Sequence, residues 1–399
     1  MRSLTGAMVG SWRRLDKGSR GHHEPQTFET VHVYHGINFE KLFHRDVEPE
    51  YDGVFFKIME AFDGLSEENL KDRTQEVVTE VEKAHAAYVE RVKNEVEPGQ
   101  RIEMWAFWDF YVLTVNCVPY RHIGQRLLSD VVLELERIGK WKDLPELGQT
   151  LRESFNDPTD DDITGNEMYT LEQWLNFNLW LARLIGSGLK RGMNLVLWSV
   201  AFGLEEDLEQ LQVDLARVRE ERKQMIEKNL KTKKEKRAER EQIWREDHGL
   251  EGGPSSSVAN EPRKEDEVPG MQPMDRSKGL DEASAKIGDD TAVGSKTLCP
   301  EAVTRITVAA EFFIQAAPTM LQESLLWHTR GPFDDSTQRV FRAGPLFAGT
   351  FGFNLERWGF WKRRLGGLRS HLGDEEAEKN VDEALGKMSA VEVAVAGHL

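Results

Sequence analysis

The chain has 399 residues and a formal net charge of −17, with 39% hydrophobic and 30% charged residues. An acidic surface repels phosphate, so nucleic acid is not an expected partner. The two cysteines, Cys117 and Cys299, are too few for a disulfide framework or a zinc site, and no apolar run has the length of a membrane span.

Residues 1–26 read as a disordered leader. The segment is basic, lacks the apolar stretch of a secretory signal, and has a mitochondrial presequence as its second reading. From about Tyr51 the pattern turns helical. Ser66 is placed to cap a helix from Glu67 to about Val96, with Glu97-Pro98-Gly99 as its stop. The next helix, Arg101 to about Val118, is apolar almost all round, as expected of a central buried helix. At about 100° per residue, Asp109 and Asn116 form its narrow polar seam, and Pro119 ends it. Ile123, Leu127, Val131, Leu135 and Ile138 then recur on one helical face over Tyr120–Lys140, and Leu144, Leu147, Leu151 and Phe155 continue the rhythm. After the acidic loop Asn156–Gly165, Thr170–Gly186 is helical and Gly186-Ser187-Gly188 breaks it.

Another helix begins at Met193. From it Leu204, Leu208, Leu211, Leu215 and Val218 alternate spacings of four and three, a short heptad stripe. The stripe dissolves into Arg219–Asp247, which is dense in charges of both signs. Gly249–Lys296 has no aromatic residue and cannot offset the entropy of ordering, so a flexible linker is expected. Pro300 suits the first turn of a new helix, with Val303, Ile306, Ala310 and Phe313 on one face and Pro318 interrupting. Gly331–Asn354 reads as a loop. Leu355–Leu372 and Asp374–Val395 read as the last two helices.

No catalytic, cofactor or metal motif emerges. His32 and His35 lack visible co-ligands, the glycines of 186–192 and 344–352 lack phosphate-loop context, and no nucleophile has a recognisable elbow. Three polar residues on apolar helix faces stand out. Asp109, Asn116 and Asn178 either tie neighbouring helices together or line a pocket between them. On the second of these helices, Asn178 falls on the apolar side, and Asn176 and Arg183 on the polar side with Glu172. Arg357, Trp358, Trp361, Lys362 and Arg364, near Arg339 and Arg342, form the most basic region of an acidic chain. They read as a core-facing Trp stripe bordered by snorkelling cations, or as an anion patch. Lys231, Lys233, Lys234, Lys236 and Arg237 match a nuclear import signal, with a solvated helix face as the plainer reading.

Four motifs follow one another along the chain: Trp141-Lys142-Asp143-Leu144-Pro145; Trp174-Leu175-Asn176-Phe177-Asn178-Leu179-Trp180-Leu181-Ala182-Arg183-Leu184; Val308-Ala309-Ala310-Glu311-Phe312-Phe313; and Glu356-Arg357-Trp358-Gly359-Phe360-Trp361-Lys362. In this order they resemble a domain-of-unknown-function family widespread in filamentous fungi, over Tyr51–Gly203 and Pro300–Leu372. The resemblance implies a helical protein with a variable insert and carries over no catalytic or binding residue.

The expected fold is all-α. It is a discontinuous helical bundle: leader 1–26, first core part 27–218, charged helix extension 219–248, disordered linker 249–298, second core part 299–399. The expected function is that of a non-enzymatic interaction or regulatory protein, with a protein partner docking on the heptad stripe and charged helix. A small-molecule binder or enzyme with a polar pocket is the alternative. No cofactor or membrane is expected. The expected compartment is the cytoplasm or nucleus.

Overall fold

The computed structural model describes residues 33–34, 37–38, 51–93, 104–141, 144–158, 169–247 and 297–397. The leader, His32 and His35, the Glu97-Pro98-Gly99 stop and nearly all of the linker lie outside these residues. Among the described residues the fold is all-α, apart from a two-residue antiparallel pairing of β1 (Val33–Tyr34) with β2 (Ile37–Asn38).

The first part comprises α1 (Asp52–Phe62), α2 (Leu70–Val92), α3 (Trp105–Cys117), α4 (Gly124–Arg137), α5 (Leu147–Glu153), α6 (Leu171–Gly186) and α7 (Met193–Leu204). Then comes α8 (Leu208–Asp247). The second part comprises α9 (Pro300–Leu326), α10 (Asp335–Val340), α11 (Leu355–Leu368) and α12 (Glu375–Ala396). Helix α2 packs on α1 and α4, α6 packs on α3 and α4, and α9 lies against α6, α7, α11 and α12. Buried residues from Tyr51 to Met388 make one continuous apolar cluster that includes both parts.

The central helix is α9, not α3. Ala302, Thr304 and every residue from Ile306 to Phe313 are buried, so α9 is covered nearly all round. Helix α3 is buried over most of its length, as its composition implies, at Phe107, Trp108, Phe110, Tyr111, Val112, Thr114, Val115 and Asn116, but leaves Trp105 43% exposed. Two glycines allow α9 its close approach. A methyl group on Gly186 of α6 would sit 2.1 Å from the Gln315 carbonyl oxygen, and one on Gly203 of α7 would sit 2.5 Å from that of Arg305. Pro318 does not interrupt the helix, which runs on to Leu326 with the proline exposed. An exposed helix face tolerates the carbonyl that a proline leaves without its N–H, because water can reach it.

Other departures from the sequence pattern have local causes. Helix α2 starts at Leu70, because the Asn69 side chain accepts from the Ser66 N–H (2.8 Å) and donates to the Gly64 carbonyl (2.9 Å), making a turn of residues 64–69. The Leu144–Phe155 rhythm is broken by left-handed backbone at Leu144 and Glu146, although Leu144, Leu147 and Leu151 are all buried as their spacing implies. Helix α6 begins as expected. Thr170 Oγ1 accepts from the Gln173 N–H (3.1 Å) and Gln173 Oε1 from the Thr170 N–H (3.0 Å), a reciprocal capping box.

The heptad stripe is not one helix. It breaks at residues 205–207, where Glu205 ends α7 and Asp207 Oδ1 accepts from the N–H groups of Glu209 (3.1 Å) and Gln210 (3.0 Å) to start α8. Leu204 and Leu208 are buried and Leu211 packs against the core.

Candidate functional site

Two buried polar clusters join the elements, and one helix leaves them. The first cluster centres on Glu205 and Arg357, both fully buried. Arg357 Nε donates to Glu205 Oε1 (2.5 Å) and Nη2 to Glu205 Oε2 (2.8 Å). Nη2 also donates to the Arg342 carbonyl (3.0 Å), and Nη1 to those of Gly352 (3.0 Å) and Phe341 (3.2 Å). Every guanidinium N–H therefore has an acceptor. The carboxylate also accepts from Trp361 Nε1 (2.6 Å) and the Gly344 N–H (2.6 Å). Such a pair holds geometry at high electrostatic stakes: desolvation is costly, and losing one partner strands the other charge. It fastens the first part to the Gly331–Asn354 connection, which contains α10, and to α11.

The second cluster sits where α3 gives way to α4. Pro119 has no N–H, and the last carbonyls of α3 need donors from elsewhere. Gln125 Nε2 donates to those of Val115 (3.0 Å) and Val118 (2.6 Å). Asn176 of α6 does more. Its Oδ1 accepts from the Tyr120 N–H (2.7 Å) and its Nδ2 donates to the Asn116 carbonyl (2.9 Å). A continuing helix would bond residue 120 to residue 116 directly, and the Asn176 amide is inserted into that gap. Two turns on, Arg183 Nη2 donates to the Tyr120 carbonyl (2.8 Å). The polar side of α6 therefore faces the α3–α4 connection rather than solvent.

Glu311 of α9 belongs to this second cluster. Burial raises its pKa; Gln315, Arg183 and Arg121 pull it down, and Glu383 raises it further. Burial lowers the pKa of Arg183, which Glu311 offsets. Tyr120 is raised by burial as well. Its hydroxyl donates to Glu376 Oε1 of α12 (2.8 Å), and Arg121 pairs with the same carboxylate.

The structure does not bring the three polar candidates together. Asp109 is half-buried on α3. Asn116 is 2% exposed, and its side-chain amide meets no partner among the described residues. Asn178 is buried, donating to the Trp174 carbonyl (2.9 Å) and accepting from Ser199 Oγ of α7 (2.7 Å). It lies two residues past Asn176, about 200° around the helix, and so points away from Asn116. In the C-terminal group, Arg357, Trp358 and Trp361 are buried. Trp358 Nε1 (2.7 Å) and Lys362 Nζ (2.5 Å) both donate to Glu392, while Arg364 is half-buried. The geometry there is that of the core-facing stripe. Sequence reasoning missed Glu205 and gave Asn176 no role. The carbonyls left open by Pro119 were the available signal for Asn176.

Helix α8 contrasts with these clusters. Arg219 pairs with Glu301 in the first turn of α9, which fixes the helix root beside the start of the second part. Beyond that pair every residue whose burial is described, including Lys223, Lys228, Lys231 and Lys236, is exposed. The side chains of Lys233, Lys234 and Arg237 lie outside the described residues. The remaining 28 residues, at about 1.5 Å each, span about 42 Å.

Fold and site thus define a class: an all-α protein whose buried polar groups hold helices together and from which one long charged helix departs. The chain belongs to the family described as "protein of unknown function" (DUF3632), whose model matches residues 108–265 and 243–365. No curated protein and no solved structure matches the chain. No helix among the described residues is long and apolar enough to cross a membrane.

Proposed function

We propose that this is a non-enzymatic interaction protein whose partner docks along α8. The observation that carries this reading is the placement of the helix root. The Arg219–Glu301 pair puts the start of the α8 extension next to the start of α9. Helix α8 therefore leaves the core close to where the chain re-enters it at α9. An excursion with adjacent ends can be long at small entropic cost, since closure grows only with the logarithm of length. Past Leu211 no described residue of α8 joins the apolar cluster, so the use of the arm lies outside the core.

The docking surface is the part of the stripe that the core does not claim. Leu211 is its last residue packed against the apolar cluster, and Leu215 and Val218 are half-buried beyond it. A helical partner reading such positions at spacings of three and four is the fitting mode. The test is a full chain in which Leu215→Glu and Val218→Glu are combined with replacement of residues 221–295 by a short Gly/Ser bridge. Its denaturant midpoint should equal that of the wild type, and proteins captured by the wild type from native extract should be lost. Retention of the same partner moves the contact to the core and overturns the reading.

A further inference from the structure

We propose that α8 pairs with α8 of a second copy of this chain, antiparallel, about a twofold axis near residues 221–222. The inference rests on α8 being an interaction arm and names its partner. The charge along the arm is divided. Residues 206–221 hold six carboxylates, Glu206, Asp207, Glu209, Asp214, Glu220 and Glu221, against Arg217 and Arg219. Residues 222–240 hold nine Lys or Arg against three Glu. The basic half is thus an island in a chain of net charge −17.

A twofold contact must be self-complementary, because the same surface meets itself in reverse. An arm that is acidic at its root and basic farther out satisfies this along its length. Laid antiparallel over residues 206–237, each basic half meets the other copy's acidic root over about 50 Å. A parallel pairing would set like charges side by side. The root is open to such contact: Asp207, Glu209, Glu220 and Glu221 are exposed, as are Lys223, Lys228, Lys231 and Lys236. Leu215 and Val218 of the root, three residues apart on one helical face, supply an apolar seam beside the crossing.

A second acidic surface lies at the same end of the core. The Leu298 N–H donates to the His371 carbonyl (2.9 Å), and Gly373 lies against Thr297. The start of α12, with Asp374 and Glu375 exposed, therefore stands beside the start of α9 and the root of the arm. An arm reaching another copy's root arrives next to these carboxylates too. Within one copy, the outer part of the arm is several Debye lengths from its own root at physiological salt, so its charge is not neutralised there.

Sedimentation velocity of the full chain over a concentration series tests this. Three proteins are compared: the wild type, a variant with Lys228→Glu, Lys231→Glu and Lys236→Glu, and a variant with Glu209→Lys, Glu220→Lys and Glu221→Lys. The wild type should dimerise at about 50 mM salt and more weakly at about 500 mM. Each variant alone should associate at least about tenfold more weakly, since like charges then face each other. An equimolar mixture of the two variants should form a heterodimer, because both basic-to-acidic contacts are restored. Circular dichroism of each variant confirms that the helices are retained. A wild type that stays monomeric at low salt, or variants that dimerise as well as the wild type, overturns the proposal. If the wild type is monomeric and deletion of the arm still abolishes capture of another protein, pairing fails while the interaction reading stands.

Discussion

Helices α11 and α8 carry similar signatures in sequence, an apolar stripe bordered by Arg and Lys, and they have opposite fates. In α11 two of the four cations are neutralised within the molecule, while Arg363 on the outer face is exposed. Arg357 is enclosed around Glu205, and Lys362 shares Glu392 with Trp358. In α8 the described cations beyond Arg219 are exposed. The difference lies in what the rest of the chain offers. Tryptophans with large apolar area draw α11 onto α9, where Phe313 meets Trp358 and Trp361 with ring centroids 5.6 and 6.0 Å apart. Burial then demands an acceptor for every N–H that enters with them. Past Val218, α8 offers too little apolar area to repeat this, and its charges remain in water.

The sharpest way to break the contrast is at the buried ion pair. Glu205→Ala should leave the Arg357 guanidinium buried with its principal acceptor gone and cost about 3–5 kcal/mol. Arg357→Met in the same protein should recover part of that loss, and urea denaturation of the two single variants and the double variant measures the coupling. Neutralising Lys228 and Lys231 to Ala should move the midpoint by less than about 0.5 kcal/mol. Next in size is the seat of α9. Gly203→Ala presses a methyl group on the Arg305 carbonyl and should cost about 1–3 kcal/mol, read by the same denaturation. Asn176→Leu should cost a comparable or smaller amount, about 1–3 kcal/mol, by leaving the Tyr120 N–H and the Asn116 carbonyl without their bridge.

The smallest effect is that of pH. Burial holds the Glu311 carboxyl above its ordinary pKa, against the pull of Gln315, Arg183 and Arg121 and with a push from Glu383. A raised folded-state value means that the folded protein binds the proton more tightly than the unfolded chain does. The stability this confers is complete below the ordinary glutamate range and is lost as pH rises through Glu311's raised value. Glu311→Gln should flatten that part of the stability–pH curve. Asp130 and Glu206 are raised by burial in the same direction and should leave a residual slope.

What was legible in the sequence followed from local rules. The start of the helix at Thr170, the break after Gly186 and the first-turn proline of α9 each depend on residues within a few positions, and each is where the pattern places it. The all-α class followed from periodicity alone. Glu205 was not legible, because it stands in the polar run Glu205-Glu206-Asp207 and its partner Arg357 stands 152 positions away. The unbroken stripe from Leu204 to Val218 failed for the same reason, since Glu205 must turn inward to meet Arg357. Asn176 looked solvent-facing on a helical projection, which contains no information about a neighbouring helix end that lacks donors. Asp109 and Asn116 share a face as projected, but Asp109 is half-buried and Asn116 is enclosed by α6.

Amide hydrogen exchange of the full chain, at about 500 mM salt to screen contacts between arms, tests most directly the claim that a two-part core carries a dispensable arm. The account predicts that α3, α6, α7 and α9 exchange together at the slow, global rate, from both sides of the linker, while α8 beyond Arg219 exchanges far faster. Protection of residues 220–247 equal to that of α9 would make the arm part of the fold, and loss of protection in α9 alone would show that the two parts do not form one core.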